Sequence, residues 1–153
     1  MKLKFLCGII PVLILICCQV KIERKSPLTG LNISTKNFKI SDTVGFLAAD
    51  TLNFLANGKA TSDKFLLDTA IYNLFLNAKG TQAYNVFPKI KVYLNDKLIG
   101  DPQLGGEYNV SAVEFKVDKK DIYHLSIQFD SDGLDDKGND RNVLIQSISI
   151  QKK

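Results

Sequence analysis

The sequence predicts an all-β domain, an antiparallel β-sandwich of jelly-roll-like type. Several short segments alternate apolar and polar residues, and turn residues separate them at intervals of roughly ten to twenty residues. Strict alternation places one face of each strand in the core and the other face in solvent. The composition, with 45% hydrophobic and 24% charged residues, is that of a globular protein that can bury a core without disulfides.

The strand pattern is clearest in the second half of the chain. Residues 46–55 fit neither the helical nor the strand period cleanly, so they predict either a short helix or two strands. After them the apolar alternation is regular, and short turns with Gly, Pro, Asn or Asp interrupt it. The predicted strands are residues 71–77, 89–95, 112–117, 123–129 and 143–150.

The chain opens with a predicted export leader. Lys2 and Lys4 precede an apolar run that ends at Cys18 and is too short for a membrane span. The LICC stretch at 15–18 resembles the lipoprotein box of bacterial proteins, and this resemblance implies a lipid on Cys18. A cleaved secretory signal and a retained anchor are the alternatives. All three place the domain outside the cytoplasm, and lipidation would anchor it in the bacterial cell envelope, periplasmic or surface-exposed.

These patterns divide the chain into three parts. Residues 1–17 are the lipoprotein-type signal peptide, 18–40 a polar tether, and 41–153 the sandwich. All three cysteines precede residue 19, so the sandwich has no disulfide and no Cys-based metal site. The net charge of +4 comes from scattered lysines rather than from a basic run, which argues against nucleic-acid binding.

The stretch between the last two predicted strands is unusually acidic. Residues 129–143 read FDSDGLDDKGNDRNV, and this link is much longer than a hairpin turn needs. Ca²⁺ takes about six to eight oxygens from carboxylates, amides, backbone carbonyls and water, and the loop offers all of these protein donors. The residues alone leave a cation site and a solvated loop as equal alternatives. The aspartates are Asp130, Asp132, Asp135, Asp136 and Asp140.

The DSDG start of the loop is shared with EF-hands, but the rest of the pattern excludes one. The sixth position from Asp130 is Asp135 where an EF-hand has Gly. The twelfth is Arg141 where an EF-hand has Glu. The predicted flanks are strands rather than helices.

FDSDG, followed by NDRNV and a final SISIQ strand, resembles the signature of calcium-dependent carbohydrate-binding modules of the xylan-binding type. Upstream, IYNLFLNAKGTQAYNVFPKIKVYLNDKLIG is similar to the family's strand, Ala-x-Gly turn and Pro-led strand, so the resemblance covers about residues 65–151. It implies a β-sandwich that holds Ca²⁺ in the acidic loop. It further implies non-catalytic binding of a polysaccharide, xylan or another glycan, whose vicinal hydroxyls fill open positions on the metal.

The resemblance also assigns the metal ligands. Asp132 and Asp140 match the family's two aspartates and are expected to hold the Ca²⁺. The backbone carbonyl of Asn139 is the expected third ligand, and Asp130 is a candidate additional one. Asp135 and Asp136 are further candidates.

The remaining expectations concern ligand binding. Arg141 is expected to hold the loop by pairing with a carboxylate, and Asn142 to satisfy loop backbone or glycan. Together with Asp132 and Asp140 they form the expected glycan-binding set. The family's Asn before the first Asp is Ser131 here, and the loop lacks an aromatic residue, which Tyr84 or Tyr108 could supply from a neighbouring loop.

Two other function classes have less support from the sequence. The main alternative is an envelope lipoprotein that acts as a structural or protein-interaction module, with Ca²⁺ structural or absent. An enzyme has little support, since His124 is the only histidine and no GxSxG, HExxH or Walker motif is present.

Overall fold

The computed structural model describes residues 30–153. The predicted signal peptide, Cys18 and residues 18–29 of the predicted tether lie outside the described residues. Within the part that is described, no helix combines the length and the hydropathy needed to cross a membrane.

Most of the described chain is extended, which confirms the predicted all-β class. A short 3₁₀ helix, Thr35–Asn37, lies between the first two strands. The strands are β1 Gly30–Ile33, β2 Phe38–Lys39, β3 Gly45–Ala48, β4 Thr51–Phe54, β5 Gly58–Ser62, β6 Phe65–Leu67, β7 Ala70–Gly80, β8 Ile90–Leu94, β9 Lys97–Gly100, β10 Asn109–Val117, β11 Asp121–Tyr123, β12 Leu125–Phe129 and β13 Val143–Lys152.

The strands form two main antiparallel sheets that enclose one core. The larger sheet has the order β10-β7-β13-β4-β3, with β1 also paired to β13, and the second has the order β2-β5-β12-β8-β9. Strands β6 and β11 pair separately. Alternate residues of β7 and β12, among them Leu74, Leu76, Ile127 and Phe129, are fully buried in a common hydrophobic cluster. The antiparallel sandwich that the alternation predicted is therefore confirmed.

Residues 46–55 form two strands, so the alternative of a short helix is wrong. β3 and β4 pair antiparallel around a two-residue turn in which Ala49 and Asp50 have φ angles of 41° and 67°. Such turns favour Asn-Gly or Asp-Gly, so Ala-Asp gives the sequence only a weak turn signal. β3 is also an edge strand in which Phe46 and Leu47 are both exposed, and this exposure obscures the alternation.

The sandwich begins before residue 41, the predicted boundary. β1 pairs with β13 from Gly30 to Ile33, and the side chain of Phe38 is buried in the core. The polar composition of the segment conceals its role because only a few of its residues face inward. Residues 30–40 therefore belong to the domain rather than to a tether.

The acidic loop, residues 130–142, passes from one sheet to the other. β12 lies in the second sheet, and β13 lies in the larger sheet between β7 and β4. A crossover between layers needs a longer connection than a hairpin, which accounts for part of the length that the sequence showed. The loop therefore lies at one end of the sandwich, where the strands of both sheets terminate.

Candidate functional site

The two arms of the acidic loop approach each other at its base. Leu134 and Asp140 form an isolated antiparallel bridge. The backbone N–H of Arg141 donates to the carbonyl of Gly133 at 2.9 Å. Continuing this register sets Asp132 opposite Asn142, so the fold brings together the two motif ends that the sequence separates.

Asp135 is committed to shaping the tip of the loop. One of its carboxylate oxygens accepts hydrogen bonds from the backbone N–H groups of Lys137 and Asn139, both at 2.9 Å. The other accepts from Asn139 Nδ2 at 2.9 Å and from the backbone N–H of Tyr84 at 3.2 Å. The Asn139 side chain, followed by these backbone donors, lowers the pKa of Asp135. This carboxylate therefore already has a full set of partners.

Asp130 is paired with a lysine. Its carboxylate accepts from Lys91 Nζ in an ion pair at the partly exposed end of β12. The hydrogen bond that Lys91 donates to Asp130 raises the pKa of Lys91. A cation at Asp130 would have to compete with this ammonium, which makes Asp130 the weakest of the predicted metal ligands.

The other three carboxylates of the loop have few or no hydrogen-bond partners. The carboxylates of Asp132 and Asp136 have no hydrogen-bond partner among residues 30–153, and the carboxylate of Asp140 accepts only from Asn142 Nδ2, at 3.1 Å. Asp136 is exposed near the tip of the loop, whereas Asp132 is half-buried at its base. Asp132 and Asp140 are thus the carboxylates at the base that remain available to a ligand.

Two further oxygens at the base lack partners. Ser131 Oγ and Asn142 Oδ1 are buried, and neither has a hydrogen-bond partner within the described part of the chain. The amide nitrogen of Asn142 donates to Asp140, and this bond leaves the amide oxygen directed elsewhere. Because a buried polar atom without a partner costs free energy, such atoms generally indicate water or an ion.

The donor set at the base fits a hard cation. No three His, Cys, Asp or Glu side chains in residues 30–153 lie close enough together to hold a metal by themselves. A Ca²⁺ site does not require three, since amide oxygens, backbone carbonyls and water complete its coordination. The carbonyl of Asn139, the third predicted ligand, accepts from Asp135 N at 2.9 Å and keeps a second lone pair.

Arg141 holds the loop through backbone carbonyls. Its guanidinium donates to Ser131 O at 2.6 Å, to Ala83 O at 2.7 Å and to Val86 O at 3.0 Å. The expected pairing with a carboxylate is therefore wrong, although the expected role in holding the loop is retained. The rigid fork of Arg suits this arrangement because three separate acceptors are reached by one planar group.

The turn at 83–86 is the neighbouring loop that the sequence left unplaced. Ala83 and Val86 form a bridge around Tyr84 and Asn85, whose φ angles are 54° and 58°. The hydroxyl of Tyr84 donates to Leu134 O at 2.9 Å, and the side chain stays 58% exposed. Tyr84 therefore supplies an exposed ring beside the acidic loop. The available sequence signal was Asn85, since Asn tolerates positive φ.

Thr81 is a residue that the sequence analysis missed. Its hydroxyl donates to the backbone carbonyl of Asp140 and accepts from the backbone N–H of Asn142 at 2.8 Å. Its own N–H donates to Asn142 O at 3.1 Å. Thr81 thus fixes the backbone on both sides of Arg141, and no pattern in the sequence predicts this role.

His124 lies away from this site. It precedes β12, while the acidic loop follows β12, so the two occupy opposite ends of the same strand. The backbone of His124 is hydrogen-bonded to Asn95 in the turn after β8. The geometry therefore offers no role for the histidine at the loop.

Comparison with protein families matches residues 73–153 to CBM60, the family of Ca-dependent, xylan-binding carbohydrate-binding modules. The matched segment is more than half of the chain and includes the whole acidic loop. A search of curated proteins finds no match.

Three of the solved structures with the same architecture are carbohydrate-binding modules of low sequence identity. The CBM36-1 domain of a multidomain xylanase from the hindgut metagenome of Trinervitermes trinervoides has a TM-score of 0.54 at 10% identity, over 81% of this chain and 98% of that one. A CBM36 module in complex with calcium and xylotriose has a TM-score of 0.53 at 13% identity, over 82% and 99%. The C-terminal CBM6 of LamC, a laminarinase from Zobellia galactanivorans, has 0.57 at 16%, over 80% and 99%.

The structural likenesses establish the shared fold. The family match confirms the resemblance that residues 129–143 predicted. The matched family consists of binding modules. It therefore also confirms the prediction of a binding domain without catalytic activity.

Proposed function

This chain belongs to the family of Ca-dependent, xylan-binding carbohydrate-binding modules, and we propose that it binds a polysaccharide through a Ca²⁺ ion held at the base of the acidic loop. The observation that carries the proposal is the buried, unpartnered amide oxygen of Asn142, a residue whose amide nitrogen donates to the available carboxylate of Asp140. A buried oxygen without a partner costs free energy, and a cation at the base of the loop would offset that cost.

Asp132 and Asp140 are the residues that would hold the ion, with Asn142 Oδ1 and the carbonyl of Asn139 as neutral donors. When bound, Ca²⁺ accepts hydroxyl oxygens in place of water, which suits a vicinal diol of a sugar. The chain itself supplies the rigidity. Thr81 fixes the backbone around Asp140, and Arg141 ties the first arm of the loop to the turn at 83–86.

Isothermal titration calorimetry with xylo-oligosaccharides tests the proposal directly. The purified protein is titrated in the presence of Ca²⁺ and again after EGTA. We expect heat of binding only in the presence of Ca²⁺. Binding that persists in EGTA would rule out a metal-bridged ligand. The alternative of a structural or protein-interaction module predicts no glycan binding under either condition.

A matched pair of variants locates the metal. Asp140→Ala removes a proposed ligand, and we expect Ca²⁺ affinity to fall by roughly 100-fold or more, since even indirect partners of a metal are worth about 10- to 100-fold. Asp136→Ala removes a carboxylate of the same loop that has no partner among the described residues, and we expect no change. Equal losses in both variants would indicate a diffuse effect of charge rather than a site.

We also propose that the protein is lipid-anchored in the bacterial envelope through Cys18. The apolar leader and the LICC stretch at 15–18 support this localisation. Metabolic labelling with a radioactive or alkyne-bearing fatty acid should mark the native chain and not Cys18→Ala. Labelling of Cys18→Ala would assign the lipid to another residue, and an unlabelled native chain would favour a cleaved signal or a retained anchor.

A further inference from the structure

The chain enters the sandwich at the end opposite the acidic loop. β1 pairs antiparallel with β13, and Gly30 lies beside Gln151 near the end of that strand. The acidic loop joins β13 at its first residue, Val143. β13 has 10 residues, which span about 33 Å at the ordinary rise of a strand. Gly30 and the acidic loop therefore lie at opposite ends of the domain.

The Gly30 end also carries the small sheet formed by β6 and β11. β6 leads into β7 at Ala70, and β11 follows β10, whose last residue, Val117, pairs with Ala70. Within the small sheet Leu66 lies directly opposite Ile122. These two side chains are 56% and 59% exposed. Because directly opposed residues share one face of a sheet, they form an apolar pair that is open to solvent.

The other face of the small sheet packs on the domain. Leu67 is buried in the hydrophobic core, and Phe65 and Tyr123 pack against that core. The hydroxyl of Tyr123 also donates to the carbonyl of Lys119 at 2.7 Å. The small sheet is thus held in place by its inner face. Its exposed apolar pair is available to an external surface.

Lysines surround the apolar pair. Lys119 and Lys120, just before β11, each pair with an aspartate, and their side chains stay 81% and 64% exposed. Lys64, just before β6, and Lys152, on β13, form no ion pair with any residue in 30–153. Lys120, and to a lesser degree Lys152, lowers the pKa of Asp68. Lys152 therefore lies near the turn between β6 and β7.

The two ends of the domain differ in charge. The segments 63–70, 116–124 and 150–153, at the Gly30 end, contain six lysines and four aspartates, a net charge of +2. The acidic loop, residues 130–142, contains five aspartates, one lysine and one arginine, a net charge of −3 before a cation binds. An anionic surface therefore attracts the Gly30 end and repels the acidic loop.

The proposed lipid on Cys18 would keep the Gly30 end close to a membrane. Only residues 19–29 separate Cys18 from Gly30, and eleven residues reach at most about 40 Å when fully extended. This segment adds three basic residues and one acidic residue to the same end. The surface that an anchored domain meets first is therefore that of its own membrane.

We propose that Leu66 and Ile122, with the lysines around them, dock the Gly30 end on anionic headgroups of the membrane that holds Cys18. The inference rests on the proposed lipid anchor and is independent of glycan binding. The apolar pair enters the headgroup region while the lysines bind lipid phosphates, the combination that holds interfacial segments on membranes. Docking in this orientation directs the acidic loop away from the membrane, toward an external polysaccharide.

Tryptophan fluorescence tests the docking, because the chain has no tryptophan of its own. Ile122→Trp places an indole in the apolar pair. Val110→Trp is the matched control, since Val110 is 55% exposed on β10 toward the acidic-loop end. Each full, lipidated chain is reconstituted in vesicles of phosphatidylethanolamine and phosphatidylglycerol with brominated acyl chains. Interfacial groups enter about 5–10 Å into the boundary of headgroups and acyl chains, so we expect bromine to quench the indole at position 122 and not at position 110.

Charge variants of the Ile122→Trp chain test the role of the lysines. Lys64→Gln combined with Lys152→Gln should lower the docking equilibrium by roughly 25-fold, since one lysine near an anionic surface is worth about fivefold. Lys79→Gln combined with Lys137→Gln removes the same charge at the opposite end and should leave the quenching unchanged. Quenching should also fall at about 1 M salt, where the Debye length is about 3 Å.

The outcomes separate the docking from the anchor and from glycan binding. Equal quenching at positions 122 and 110, or none at either, in a chain that sediments with the vesicles would overturn the docking and leave the lipid anchor intact. Quenching that ignores both salt and the loss of Lys64 and Lys152 would overturn recognition of anionic lipid. A chain that carries no lipid would remove the anchor, and the docking with it. Ca²⁺-dependent binding of xylo-oligosaccharides should be unchanged in all these variants.

Discussion

The tip and the base of the acidic loop have similar compositions, but their polar groups differ in how many hydrogen-bond partners they have. The tip, residues 134–138, is closed by hydrogen bonds, because Asp135 accepts from the backbone N–H groups of Lys137 and Asn139 and from the Asn139 side chain. The base consists of the two arms at 131–132 and 139–142. There, Ser131 Oγ and Asn142 Oδ1 have no partner among the described residues, and the carboxylate of Asp140 accepts a single hydrogen bond.

The difference shows that the number of carboxylates in a loop does not by itself locate a cation site. A carboxylate with a full set of donors is a structural element, as Asp135 is. A carboxylate beside buried, unpartnered oxygens is a candidate ligand, as Asp140 is. The two kinds can be told apart only when the partners of each oxygen are known, and this knowledge requires the fold.

The largest expected effect comes from Arg141, which joins the two arms to the turn at 83–86. Arg141→Ala removes three hydrogen bonds from a charged donor to Ser131, Ala83 and Val86. We expect the free energy of unfolding to fall by about 2–4 kcal/mol, since bonds to charged groups contribute about 1.5–3 kcal/mol each and this site is only half-buried. Urea denaturation measures the change.

Arg141→Lys is the matched control for that prediction. Lysine retains the charge but cannot reach three divergent acceptors with one planar group. We expect it to recover only a minor part of the lost stability. Full recovery would mean that the positive charge alone holds the loop. The three hydrogen bonds from the guanidinium to backbone carbonyls would then not be the cause of the stability.

The tip is expected to respond to pH. The pKa of Asp135 is lowered in the folded protein, chiefly by the Asn139 side chain, so the ionised form stabilises the fold. Its contribution is present above the ordinary Asp pKa of about 3.9 and is lost as the pH falls through the lower folded value. Asp135→Asn should therefore lower the thermal unfolding midpoint near neutral pH, and the difference from the native protein should shrink as the pH drops below about 4. A difference independent of pH would contradict this role.

The sequence predicted the sandwich because the alternation in residues 71–77 and 123–129 follows directly from burial on one face. It placed the candidate site in the acidic loop because FDSDG and NDRNV both fall within the one stretch 129–143. It missed Thr81 and the pairing of Asp130 with Lys91, because these contacts join segments far apart in the chain. The strand at Gly30–Ile33 was missed for the same reason, since its partner is the last strand.

At the base, the variant Asn142→Ala shows whether Asn142 acts as a metal ligand or as a structural residue. Without Ca²⁺, the variant loses one exposed hydrogen bond to Asp140 and a buried oxygen that had no partner, so stability should change little. With Ca²⁺, we expect affinity for the ion to fall by about tenfold. Thermal unfolding with and without Ca²⁺ measures both, and Ser131→Ala tests the second unpartnered oxygen. An equal loss in both conditions would make Asn142 structural.

The smallest expected effect concerns the contact between the tip and the turn at 83–86. Tyr84 holds a positive φ of 54°, a conformation that costs free energy for an aromatic residue, so its contacts must more than offset that cost. Tyr84→Phe removes only the hydrogen bond to Leu134 O and keeps the ring. We expect a loss of about 0.5–1 kcal/mol in urea denaturation and no change in Ca²⁺ affinity. A change in Ca²⁺ affinity would show that the tip and the base are coupled, and the separation between a structural tip and a binding base would no longer hold.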